Sequence, residues 1–364
     1  MAAIEAYETT QGRRYRVRYR APDGRSTKRA GFKTKKLAEL YAATIEVDKA
    51  TGSYIDPARS RTTISALGPT WLEGKKQLKP SSYRPLEISW RLHVEPYWGH
   101  RPLHTIEHSE VQTWITKLTA GDSDRKALGA TSVIRAYGIL AGILDSAVKD
   151  KRLLTNPARD DIHLPRKVPK ERRYLTHQEV ARLAKESGKH ETLVLIMAYT
   201  GLRWGEAIGL RAKDIDMSRR RIKVTVNAVQ VGQDIIVGTP KSHTRRSVPY
   251  PAFLDESIKG ALRTKLPDAL VFSDPYGFHL KRPGEKEWFS YAYKRAQLAR
   301  LTLHDLRHTA VSLAIAAGAN VKAVQNMLGH ASAAMTLDVY ADLFPDDLEA
   351  VAVALDAARL AACG

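Results

Sequence analysis

Among its 364 residues the chain has one cysteine, Cys363. A lone thiol cannot close an intrachain disulfide, so the sequence suits a reducing compartment and offers no cysteine-based metal site. Acidic residues are outnumbered, with 39 Asp and Glu against 58 Lys and Arg, leaving a formal net charge of +19. Long apolar runs are missing too, and the longest, around 193–198, is too short to span a bilayer. The opening MAAIEAYETT lacks the charged region and apolar block of a signal peptide. No GxxxxGKS loop, HExxH pair or acidic metal cluster occurs, so neither nucleotide nor metal is called for. The expectation is a cytoplasmic protein that works without cofactor or metal.

What is present is ordinary in hydrophobic content, 43%, and long enough for two or three domains. The charge predicts a polyanionic partner, with nucleic acid first. A membrane surface is the rival, but no basic amphipathic helix with a Trp or Phe face stands out.

Residues 1–55 read as a small three-stranded β-sheet with one helix. In RRYRVRYR, residues 13–20, Tyr15, Val17 and Tyr19 face one way while Arg14, Arg16, Arg18 and Arg20 face the other, the period of a half-buried strand. Pro22-Asp23-Gly24 turns the chain into a second basic strand ending near Phe32, and a strand from Ile4 to Glu8 completes three. Between Gln11 and Lys36 stand eleven Lys or Arg and one acid, Asp23. Ordinary sheet faces mix signs. A face carrying Arg14, Arg16, Arg18 and Arg20, with Arg25, Lys28 and Arg29 beside it, therefore points to a DNA groove.

A linker at about 55–62 leads to residues 63–155, which have the 3.6-residue apolar period of a helical bundle, clearest over 132–148. Trp71, Trp90, Trp98 and Trp114 fall mostly on the apolar phase, so they read as core or boundary residues. A second linker carries Pro157, Pro165 and Pro169 amid dense charge. Thr176-His-Gln-Glu179 then opens a new helix as a capping box.

From 172 to 364 the chain carries chemistry. A buried helix over 191–199 runs into TGLRWGE at 200–206, and three strands, RRRIKVTVNAVQV, DIIVG and RRSVPY, read as one small antiparallel sheet. The stretch 304–340 reads as three short helices broken at Gly318 and Gly329. It places His304 and Arg307 one turn apart, His330 at the end of the second helix and Tyr340 ten residues later. Two basic side chains, a second imidazole and a phenol on rigid elements suit the handling of a phosphodiester. The chain ends in an alanine-rich acidic helix.

In this order and spacing the third region resembles the catalytic domain of the tyrosine recombinases, the phage integrase family. The family's first arginine box matches Thr200 to Glu206, its hairpin lysine Lys241 in TPKSHTRRSVP, with Lys223 as a nearby competitor. Its second box matches His304-Asp305-Leu306-Arg307-His308, its leucine-glycine-histidine step Leu328-Gly329-His330, and its nucleophile Tyr340. The middle bundle is similar to the family's core-site-binding domain and the N-terminal sheet to the arm-site-binding domain of lambda-type integrases. The resemblance implies a multidomain, mainly α protein with the DNA breaking-rejoining fold.

It also implies the chemistry. Tyr340 would attack the scissile phosphate, giving a 3′-phosphotyrosyl link and a free 5′-hydroxyl. Arg203 and Arg307 would fork onto the non-bridging oxygens. Lys241 would protonate the leaving alkoxide, His304 would assist proton transfer at the nucleophile, His330 would hydrogen-bond the phosphate, and Glu206 would orient Arg203. Implied partners are double-stranded DNA with core and arm attachment sites, three further copies of the chain in a homotetramer, and a host bending protein and directionality factor. The implied setting is the nucleoid of a bacterial host. Two other readings stand beside it. One is a non-catalytic DNA-binding regulator, since the helices about Gly318 imitate a helix-turn-helix. The other is a type IB topoisomerase, which shares the nucleophile but has no use for an arm-like sheet.

Overall fold

The computed structural model describes residues 2–122, 126–168, 172–239, 245–343 and 348–363. The chain divides into two compact units, residues 1–169 and 170–364.

The first unit opens with an antiparallel sheet in the order β1-β2-β3, formed by β1 (Ala3–Tyr7), β2 (Arg14–Arg20) and β3 (Ser26–Phe32), followed by α1 (Lys35–Thr51). The alternation read in β2 holds. Val17 and Tyr19 are buried and share a core with Ala38 and Ile45 of α1 and with Tyr54. The Thr34 hydroxyl caps α1 at its start and Gly52 ends it in the left-handed conformation. Across β2 and β3, Arg18 faces Lys28, but a bulge between Tyr15 and Val17 places one extra residue in β3 and brings Phe32 opposite Tyr15.

After a short α2 (Pro57–Ser60) comes the bundle. It comprises α3 (Ile64–Glu73), α4 (Pro80–Ser89), α5 (Glu95–Trp98), α6 (His108–Ala120) and α7 (Ala130–Lys149). A π turn, Trp90–Val94, joins α4 to α5. It lies where Pro96 withholds an N–H and interrupts the helical ladder. Trp90, Trp98 and Trp114 are buried and Trp71 is half-buried, as their phase predicts. Trp98 meets Trp114 edge to face, with centroids 5.8 Å apart. Among the described residues α7 alone is long and apolar enough to cross a membrane. Here its stripe of Val133, Ile139, Leu140, Ile143 and Leu144 is the bundle's core.

In the second unit the expected capping box of Thr176 and Glu179 opens α8 (His177–Glu186). The nearly all-apolar α9 (Glu191–Thr200) is buried against α8 and α13 and leads into α10 (Trp204–Ala207). The single sheet expected next is two. β4 (Ile215–Asp216), β5 (Arg221–Val224) and β8 (Arg246–Pro249) form one in the order β4-β5-β8, and β6 (Asn227–Val231) with β7 (Asp234–Gly238) forms a separate hairpin. The segment RRRIKVTVNAVQV is thus two strands parted at Thr225-Val226. Beyond that break β6 passes so close to α10 that a Cβ on Gly205 would lie 2.4 Å from Asn227 Oδ1 and 2.5 Å from the Ala228 carbonyl oxygen.

Helices α11 (Asp255–Leu262) and α12 (Trp288–Arg295) precede the three expected from the 304–340 stretch, α13 (Leu303–Ala316), α14 (Val321–Leu328) and α15 (Ala333–Tyr340). Gly318 follows α13 and Gly329 ends α14, both at positive φ. The chain closes with α16 (Leu348–Cys363), on which Val353, Leu355 and Leu360 are exposed.

Candidate active site

Arg203 occupies the N-cap of α10. Its backbone N–H donates to Glu206 Oε2 at 2.9 Å and its guanidinium to Oε1 at 2.9 Å. The fully buried Glu206 carboxylate also receives both terminal nitrogens of Arg246, at 2.9 and 2.7 Å, a bidentate pair. Burial raises the Glu206 carboxyl, but Arg246 and then Arg203 outweigh it and bring it down to about 2. The acid is therefore always ionised here. Arg246 is almost wholly enclosed, whereas Arg203 keeps a quarter of its side chain exposed.

Arg307, on α13, is 2% exposed. It donates to the carbonyl of Gly201, two residues before Arg203, and to that of Leu328 at 2.8 Å. The same fork lies 3.2 Å from His330 Nε2. Among the described residues no carboxylate forms an ion pair with it. Burial, then the charge of Arg203, lowers its pKa to about 9, which still leaves it cationic at neutral pH. A guanidinium can only donate, so His330 Nε2 accepts, and Nδ1 carries the proton that it donates to Thr336 Oγ1 at 3.0 Å. Burial and then Arg307 push the His330 imidazole down to about 4, so it is neutral.

Tyr340, also 2% exposed, packs among Val311, Ile315, Val324 and Leu328. Its hydroxyl lies 2.7 Å from His308 Nδ1. Burial raises the phenol to about 12, with Arg307 opposing. Burial and then His304 push His308 down to about 4, so Nδ1 of the neutral ring can accept the phenolic hydrogen. The His304 ring meets that of His308 edge-on, with centroids 4.7 Å apart. Burial, then Arg307, lowers the His304 pKa. Beside the phenol, Arg172 donates to the Val339 carbonyl at 2.7 Å.

The structure thus gathers Arg203, Glu206, His304, Arg307, His330 and Tyr340 into one connected set. Lys241 lies outside the described residues. Its rival Lys223 is exposed on β5, opposite Ser247. Two participants escape the sequence reading. His308, not His304, touches the phenol, and Arg246 holds Glu206. His308 stands next to Arg307 and Arg246 lies within RRSVP, five places after Lys241, but only the fold shows what each touches.

In the first unit Arg14, Arg16, Arg18, Arg20 and Lys28 share the sheet face away from α1, where Arg16 and Arg18 reach Glu5 at 2.7 and 3.5 Å. Arg25 pairs with Asp23 and Asp56 instead. Arg29 stands opposite Val17, on the helix side, with its guanidinium 5.0 Å from the Tyr41 ring centre.

Comparison with known proteins agrees with this geometry. The phage integrase family profile matches residues 173–346, and that of the phage integrase N-terminal SAM-like domain matches 63–119. The chain is 31% identical to the integrase of Mycobacterium phage D29 over 291 residues, which cover 77% of this chain and 75% of that protein. It is 26% identical to the ICEBs1 integrase of Bacillus subtilis strain 168 over 347 residues, 89% of this chain and 92% of the other. Among solved structures, the Tn1549 transposon integrase in complex with a circular intermediate DNA matches with a TM-score of 0.67 at 20% identity, covering 81% of this chain and 99% of that one. A lambda integrase tetramer bound to a Holliday junction matches with a TM-score of 0.59 at 16% identity, covering 90% and 95%.

The two depressed histidines predict a pH dependence of stability. Between about pH 6.5, the ordinary value for histidine, and about 4, the unfolded chain takes up protons that folded His308 and His330 refuse. Stability therefore falls as pH drops through that window. Thermal unfolding midpoints measured from pH 7.5 to 4.5 should show this slope, and His308→Gln or His330→Gln should flatten it.

Proposed function

The chain belongs to the phage integrase family and is a tyrosine site-specific recombinase, a DNA strand-transferring enzyme; from that premise we propose how its residues divide the reaction. Tyr340 attacks the scissile phosphorus as His308 takes the phenolic proton, with His304 behind it. The bond from Tyr340 oxygen to phosphorus forms, and the bond from phosphorus to the 5′ oxygen breaks. Lys241 supplies the proton that turns the leaving alkoxide into a free 5′-hydroxyl. Arg203 and Arg307 neutralise the charge growing on the non-bridging oxygens, and His330 holds the Arg307 fork in position. The phosphotyrosyl bond retains the energy of the broken phosphodiester, so a 5′-hydroxyl from another strand can reseal it with no nucleotide consumed.

The observation that carries this assignment is the buried Arg307 guanidinium, paired to backbone carbonyls and an imidazole and to no acid among the described residues. A site built this way has a place for an anion, and the buried phenol beside it supports reading that anion as a phosphate to be attacked.

We assign residues 63–155 to core-site DNA, residues 172–364 to the chemistry, and residues 1–55 to separate arm sites through Arg14, Arg18, Arg20 and Lys28. The lambda integrase tetramer on a Holliday junction supports four protomers acting on two DNA partners, and the exposed apolar residues of α16 suit a contact between protomers. A host bending protein, a directionality factor and a nucleoid setting in a bacterial host belong to the same proposal.

A nicked duplex, from which the cleaved 5′ fragment diffuses away, should trap the wild-type chain as a covalent adduct. Tyr340→Phe should bind that duplex and form none. Arg203→Ala should lower the adduct rate on the order of 10²-fold or more while leaving salt-dependent binding largely intact. Binding without any adduct from the wild type would instead favour the non-catalytic regulator. Removing residues 1–55 should weaken arm-site binding in a mobility-shift assay and leave core-site cleavage measurable.

A further inference from the structure

The set contains an arginine to which the reaction gives no part. Arg246 is the first residue of β8, five positions after Lys241. Its Nε donates to the Met327 carbonyl at 3.1 Å, and its two terminal nitrogens hold both oxygens of Glu206. Glu206 in turn fixes Arg203 through the backbone and the side chain. The carbonyls of Met327 and Leu328, adjacent at the C-terminus of α14, are thus taken by Arg246 and Arg307 respectively. Cations are favoured at such a helix end.

Gly329 bears the imprint of this arrangement. It has a φ of +66°, which disfavours any side chain, and a Cβ there would stand 2.9 Å from Arg246 Cδ and 3.2 Å from Nε. The glycine before His330 is therefore also the gap across which the Arg246 side chain lies.

We propose that Arg246 is a positioning residue for cleavage: it locks the Glu206 carboxylate that aims Arg203 and, through the Met327 carbonyl, ties β8 to the turn that carries His330. The inference rests on the functional reading above. The Nε and both terminal nitrogens of Arg246 are already engaged by the Met327 carbonyl and the Glu206 carboxylate, so its effect passes through Arg203 and His330. Lysine cannot replace it, because one ammonium cannot serve two carboxylate oxygens and a carbonyl in a single plane.

The rival account is a buried ion pair that contributes only to folding, and the test separates the two. Single-turnover adduct formation is measured on nicked duplexes carrying either a phosphodiester or an uncharged methylphosphonate at the scissile position, each variant being compared with wild type on the same linkage. Arg246→Met and Arg246→Lys should slow phosphodiester cleavage about 10²-fold with an unchanged Kd for the duplex. On the methylphosphonate, which has less charge for Arg203 to neutralise, the loss should shrink to a few-fold. The double variant Arg246→Met with Glu206→Gln removes the stranded buried carboxylate, so it should recover the thermal midpoint without the cleavage rate.

Equal losses on both linkages, wild-type rates from Arg246→Met, or full recovery of rate in the double variant would each overturn the proposal. Should the single variants fail to fold, the double variant decides the matter by its linkage dependence. If the wild-type chain forms no adduct on the phosphodiester, the functional reading fails, and the inference with it.

Discussion

A guanidinium held in the protein interior, with no carboxylate of its own among the described residues, is the constraint on which the rest of the second unit depends. Taking Arg307 out of water costs several kcal/mol, and hydrogen bonds to two carbonyls and an imidazole offset it, together with the attraction of Glu206. Those bonds dictate where other parts must be. The Gly201 carbonyl fixes the segment entering α10, the Leu328 carbonyl fixes the end of α14, and His330 is left neutral in one tautomer. The nearby acid, Glu206, is shared by Arg203 and Arg246 and has no charge to spare. Three arginines against one glutamate leave the pocket short of negative charge, which the phosphate of a bound strand would supply.

The same excess of cation bears on Tyr340, the proposed nucleophile. Burial holds the Tyr340 phenol near a pKa of 12, so phenolate is rare in the free protein. Arg307 pulls in the other direction, and His308 is poised as a neutral acceptor 2.7 Å away. In the proposed reaction the phenol therefore stays protonated until a phosphate arrives to be attacked.

Local signals in the chain were readable. The alternation that buries Val17 and Tyr19, the capping box at Thr176 and Glu179, the left-handed Gly329 and the spacing from His304 to Tyr340 each follow from rules spanning a few residues. What escaped depends on contacts between distant residues. His304 and His308 are four apart on one helix face, so the sequence cannot say which imidazole meets a phenol arriving from α15. Arg246 finds Glu206 across forty residues, invisible to any periodicity. The apolar alternation runs on through Thr225 and Val226, giving no hint that the strand divides there. The bulge in β3 depends on pairing with β2 and brings Phe32 opposite Tyr15, while Arg29 lies on the helix side because it follows Lys28 in simple alternation.

The account stands on Tyr340 reaching a DNA phosphorus inside this cationic pocket. The most direct measurement is to trap the covalent complex on a nicked core-site duplex, digest it, and locate the nucleotide-bearing residue by mass spectrometry. The account predicts a 3′-phosphoryl group on the Tyr340 oxygen together with a free 5′-hydroxyl on the released fragment. Attachment at any other residue, or linkage through a 5′-phosphate, would contradict it.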